Sequence, residues 1–171
     1  MRSLPRLQAI IDVDAAQRNA LTPLDAARAF FDGGARLVQV RAKQFNWEFT
    51  YPGPDGKFGT PDDKTLTDEL HVPVGKPVRI NLGARDVIHS LFVPQFRFKQ
   101  DAVPGREIPA WFQVSKPGKY EAPCAELCGF GHSGMKGWVT VSSPDAFKTW
   151  VGEKWPAAAT AARSPEPSPV G

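Results

Sequence analysis

Proline and glycine interrupt this chain at Gly75, Pro94, Pro104–Gly105 and Pro117–Gly118, and the runs between these breaks alternate apolar with polar residues. A proline inside a helix removes a hydrogen bond and clashes with the preceding turn, and glycine costs about 1 kcal/mol there. Short strands joined by turns are what such punctuation permits. With 17 Pro and 15 Gly, or 32 of 171 residues, a helical bundle is disfavoured and an all-β fold is expected. Strands are predicted at Leu66–Val74, Pro77–Leu82, Val87–Val93, Ile108–Val114, Lys119–Ala122 and Gly137–Val141, with the regular spacing of a β-sandwich. From Arg36 a period of two runs through Leu37, Val38, Val40, Ala42, Phe45, Trp47 and Phe49, which predicts a long first strand. Tyr51 to Asp63, with Gly53, Gly56 and Gly59, is a loop.

The ends read differently. Residues 1–35 suggest a strand at Leu7–Val13 and a helix capped by Thr22, with Pro23 at its first position, running to Phe31. Ser143 is a second helix cap, for a segment reaching about Lys154. The stretch 156–171, rich in Ala, Pro and Ser, has too few apolar groups to offset the entropy of ordering and is expected to be disordered. Three parts follow: an appendage at 1–35, a β domain at 36–155 and a tail at 156–171.

Charge and hydropathy exclude several functions. The net charge is +3, with basic residues scattered singly, so nucleic-acid binding is not expected. No run approaches the roughly 18 apolar residues that span a bilayer. Met1 to Ala16 lacks the unbroken apolar centre of a secretory signal, so no signal peptide or anchor is expected and the chain as written would stay in the cytosol. Only two cysteines occur, Cys124 and Cys128, enough for one bridge or one metal site.

Both lie in Cys124-Ala-Glu-Leu-Cys128-Gly-Phe-Gly-His132-Ser-Gly-Met135, where two thiols, an imidazole and a thioether fall within twelve residues. Pro123, Gly129, Gly131 and Gly134 argue against a helix, so these groups belong on a loop folded around a point. Thiolate, imidazole and thioether favour copper over magnesium or calcium; zinc is the competitor, although it does not favour methionine. His89, in Asp86-Val-Ile-His89-Ser, offers another ligand at the end of a strand. Two His, two Cys and one Met exceed what one four-coordinate ion needs, and the count favours two metals sharing the thiolates.

His89 followed by Cys124-x-Glu126-x-Cys128-x3-His132-x2-Met135 resembles the binuclear copper site, CuA, of cytochrome c oxidase subunit II, and the likeness covers roughly residues 36–155. QFNWEFTYPGPDG resembles that family's aromatic strand, ELHVPVGKPVRI its next hairpin and DVIHSLFVP its first-histidine segment. The resemblance implies a cupredoxin-like Greek-key β-sandwich. It implies that Cys124 and Cys128 bridge two copper ions, that His89 and His132 bind one each, and that Met135 and the Glu126 carbonyl are weak ligands. It implies a magnesium ion reached by the Glu126 side chain at the boundary with a haem-containing subunit I, and cytochrome c as electron donor. It places the domain on the periplasmic face of the membrane.

The sequence also departs from that pattern. The family's Trp at the docking position is Phe45 here, with Trp47 two residues on, so both are candidates for the aromatic that receives the electron. A small acidic cluster, Asp62, Asp63, Asp68 and Glu69, is what remains for electrostatic docking. Residues 1–42 lack the family's membrane helices and instead resemble the first strand, helix and second strand of thiamine-phosphate synthase, although a barrel of that kind needs about 200 residues or more. Other readings are a freestanding soluble copper carrier, a domain like the copper domain of nitrous-oxide reductase, and a zinc or disulfide domain with no redox role. His71 has no place in the motif and reads as a strand histidine, while Trp111, Phe112 and Trp138 read as core.

Overall fold

The computed structural model describes residues 36–53 and 56–156. The strand and helix expected within residues 1–35, and the tail beyond Pro156, lie outside the described residues. Among the described residues, ten strands and one α-helix follow in order: β1 (Arg36–Lys43), β2 (Asn46–Tyr51), β3 (Lys64–Thr67), β4 (Glu69–Pro73), β5 (Pro77–Ala84), β6 (His89–Val93), β7 (Phe98–Ala102), β8 (Ile108–Gln113), β9 (Gly118–Pro123), β10 (Lys136–Ser142) and α1 (Pro144–Lys154). One sheet has the order β3-β2-β1-β5-β8, with β1 and β5 parallel. The other has the order β4-β10-β9, with β4 and β10 parallel. The β6–β7 hairpin reaches this second sheet through a bridge between Leu91 and Cys124. The result is a β-sandwich of the cupredoxin kind, as the punctuation and the resemblance led one to expect.

Alternation builds the core. Val38, Val40 and Ala42 of β1, Val78, Ile80 and Leu82 of β5, and Val139 and Val141 of β10 all point inward and are buried. Each such Val, Ile or Leu side chain contributes about 1.5–3 kcal/mol through removal from water. At the far end, Ser143 caps α1 by accepting from the Ala146 amide, and Trp150 of α1 stacks on His71 at 4.6 Å. Trp155 donates from its indole to the Asp62 carbonyl at 2.7 Å.

Several expectations are corrected. The long first strand is two antiparallel strands joined at Gln44–Phe45. The inward set changes from even numbers (38, 40, 42) to odd (47, 49, 51), a change of parity that marks a turn. The strand expected at Leu66–Val74 divides at Asp68, whose φ of 58° carries the chain from one sheet to the other. There the Asp68 carboxylate accepts from the Trp47 amide at 2.8 Å, while its own amide donates to the Trp47 carbonyl. Strand β6 begins at His89, leaving Val87 and Ile88 exposed ahead of it. Phe112 is core, but Trp111 and Trp138 are only half-buried, and Lys119 lies over the Trp138 ring at 4.9 Å.

Candidate metal centre

Three segments meet at one end of the sandwich. Strand β6 opens on His89, fully buried; β9 ends just before Cys124; β10 begins just after Met135. The loop 124–135 is closed at its neck by the Cys124 amide donating to the Met135 carbonyl at 3.0 Å. It is fixed to β6 by the Ala125 amide donating to the Ser90 carbonyl at 2.9 Å. A 3-10 turn at His132–Gly134 brings His132 back over Cys128.

The soft donors converge. The two Sγ atoms are 3.8 Å apart and both cysteines are free thiols, so no disulfide joins them. His89 Nδ1 lies 3.9 Å from Cys124 Sγ, and His132 Nδ1 lies 3.5 Å from Cys128 Sγ. Met135 Sδ, fully buried, is 3.8 Å from Cys128 Sγ. The ligand atoms of His89, Cys124 and Cys128 fall within 4.8 Å of one another, all on buried residues. Since a metal–sulfur bond is about 2.3 Å, one ion reaches both sulfurs across this gap. Glu126 enters through its backbone: its carbonyl is 3.3 Å from Cys124 Sγ, and its carboxylate is exposed.

Burial, then the hydrogen bond with Cys124, pushes the Cys128 thiol up to about 11. A metal ion must therefore displace a proton to bind there at neutral pH. Partial burial would raise Asp86 as well, but hydrogen bonds from the His89 ring and from the Gln44 and Val87 amides outweigh it and hold its carboxyl below the usual range.

The two candidate aromatics are placed apart. Phe45 is 37% exposed and its ring lies on the loop: a Cβ at Gly131 would come within 2.5 Å of it, so only glycine fits there. Trp47 is wholly buried, edge-on to His89 with ring centroids 6.1 Å apart. The large exposed apolar side chains Phe45, Val87, Ile88, Leu127 and Phe130 all adjoin this end. The acidic cluster is split: Asp68 lies at this end of β2 with its carboxylate taken up by the Trp47 amide, and Asp62 belongs with Trp155 at the other end of β2.

Two polar residues of the site have little or no trace in the sequence. Asp86 accepts from His89 Nε2 at 2.8 Å, and Gln44 donates from Nε2 to the Cys128 carbonyl at 2.6 Å. The spacing Asp86-x-x-His89 is the sole sequence signal for the first; Gln44 offers none.

Residues 55–142 match the family model for the periplasmic domain of cytochrome c oxidase subunit II. The chain is 49% identical over 115 residues to cytochrome c oxidase subunit 2 of Thermostichus vulcanus, covering 67% of this chain and 32% of that one. It is 40% identical over 121 residues to the Synechocystis protein of the same name, covering 71% and 34%. It therefore spans about a third of the length of these relatives. Among solved structures, the periplasmic domain of subunit II of cytochrome oxidase of Bradyrhizobium japonicum superposes with a TM-score of 0.62 at 31% identity, covering 71% of this chain and 94% of that one.

Proposed function

This chain belongs to the cytochrome c oxidase subunit II family, and from that premise we propose that residues 36–155 form the electron-accepting domain of a terminal oxidase. The domain holds two copper ions in one centre, takes electrons from cytochrome c at the periplasmic face of the membrane, and passes them to a haem in subunit I. The observation that carries this reading is the convergence of two free thiols 3.8 Å apart, each with its own imidazole, beside a buried thioether. A five-donor set that includes methionine suits copper better than zinc.

The bound copper pair supplies a one-electron couple. The protein's part is to keep the ligands in place whichever charge the centre carries. His89, Cys124, Cys128 and Met135 are buried between sheet ends, which excludes water and limits rearrangement. Cys124 and Cys128 would hold both ions through their sulfurs, His89 and His132 would each hold one, and Met135 and the Glu126 carbonyl would be the weak ligands. The exposed Glu126 carboxylate is left to face subunit I and share a magnesium ion there. Phe45, exposed and packed on the ligand loop, meets the donor, and Trp47 lines the interior beside His89. With the Asp68 carboxylate taken up by the Trp47 amide and Asp62 at the other end of β2, the apolar rim around Phe45 supports docking by burial of apolar surface. No helix among the described residues is long and apolar enough to cross a membrane.

The test is metal analysis with electron paramagnetic resonance on the copper-loaded chain. Two coppers per chain are expected, with hyperfine splitting from two equivalent nuclei. One copper with the pattern of a lone nucleus would refute the binuclear assignment. Recovery of the chain from membranes together with haem-containing subunits supports the oxidase role; a chain that never associates with them overturns it.

A further inference from the structure

We propose that Asp86 and Gln44 form a hydrogen-bonded brace that holds the His89 ring, the Cys128 loop and the Phe45 turn in fixed relation, making both of them positioning residues of the metal centre. One Asp86 oxygen accepts from His89 Nε2 at 2.8 Å and from the Val87 amide at 2.7 Å; the other accepts from the Gln44 amide at 2.7 Å. Gln44 then donates from its side chain to the Cys128 carbonyl at 2.6 Å. A continuous polar chain thus runs from one ligand ring, through the turn that carries Phe45, to the loop that carries the second thiol.

The chemistry of each link is specific. To donate to a carboxylate, His89 Nε2 must carry the ring proton, which leaves Nδ1 unprotonated and facing Cys124 Sγ. A carboxylate behind an imidazole also raises the basicity of the nitrogen that binds metal. Gln44 acts on the other side. Gly129, with φ of 131°, lets the loop lie so close that a Cβ would stand 2.7 Å from Gln44 Nε2. The brace therefore fixes how the Phe45 ring sits against the ligand loop, and with it the route an electron takes inward.

This inference rests on reading the centre as a copper site, and its test uses the full chain with one arm that needs no metal. In the metal-free chain, nitrogen NMR should find the His89 proton on Nε2. Asp86→Ala should lose that preference and weaken copper binding about 10–100-fold. Asp86→Asn, which still accepts a hydrogen bond, should restore the tautomer and part of the affinity, with the redox potential moved upward by loss of the negative charge. Gln44→Ala should leave the His89 tautomer alone while shifting the thiolate absorption band and the potential. A folded Asp86→Ala chain with wild-type tautomer and affinity overturns the proposal. Should that variant not fold, Gln44→Ala decides: a wild-type band and potential overturn the brace, and altered ones support it. A wild-type chain that takes up no copper overturns the copper reading, and the NMR arm still settles the brace.

Discussion

Cys128 is the residue on which the centre turns, with Cys124, His132 and Met135 all within 3.8 Å of its sulfur. Replacing it with Ser substitutes a hard hydroxyl that stays protonated for the thiolate proposed to bridge, and the expected result is loss of the proposed binuclear centre and its visible absorption. Met135→Leu keeps the volume and removes only a weak donor, so copper should stay bound while the potential changes. Optical titration and voltammetry of the two variants check this; a Cys128→Ser chain with the wild-type spectrum would contradict the ligand assignment. At this scale the sequence was informative because His89 is the only donor distant in the chain, the others falling within twelve residues. Asp86 and Gln44 escaped it because an aspartate and a glutamine become part of a site only when folding brings residues 44, 86 and 128 together.

At the scale of elements, α1 and its cap form a second, separate layer of design. Ser143 accepts from the Ala146 amide at 3.2 Å, and the helix sets Phe147 and Trp150 beside Tyr51 and His71. Ser143→Ala should cost about 1 kcal/mol, or a few degrees of thermal midpoint. The copper spectrum should not move, because Tyr51 and Trp150 sit at the end of β2 away from Trp47 and His89. Calorimetry and absorption on the same sample separate the two effects. Strands with regular alternation, such as β5 and β10, were readable from sequence, and so was the helix from its Ser-Pro-Asp start. Strand β7 was not, since FKQDA carries too few apolar residues to show a period. The breaks at Gln44–Phe45 and at Asp68 were hidden because apolar residues continue on both sides, and only pairing with partner strands reveals where the chain turns.

For the whole molecule, every candidate ligand and, among the described residues, every strand lie between Arg36 and Trp155. A chain cut to residues 36–156 is therefore expected to fold and to bind copper as the full chain does. Equal copper content and a similar thermal midpoint would establish that; loss of both would make residues 1–35 integral to the domain. The fold class was legible because Pro and Gly spacing leaves an alternating chain little choice but strands. What remained illegible was which strands share a sheet, since the parallel pairings of β1 with β5 and β4 with β10 join segments far apart in sequence. The neck formed by the Cys124 amide and the Met135 carbonyl has a consequence for inheritance. It makes the twelve residues from Cys124 to Met135 a cassette held on the framework at this neck and at two further hydrogen bonds, from the Ala125 amide to the Ser90 carbonyl and from the Gln44 side chain to the Cys128 carbonyl. One short stretch of gene can then exchange donors and so change which metal the site would take, while the strand pairings of the sandwich beneath keep their own residues.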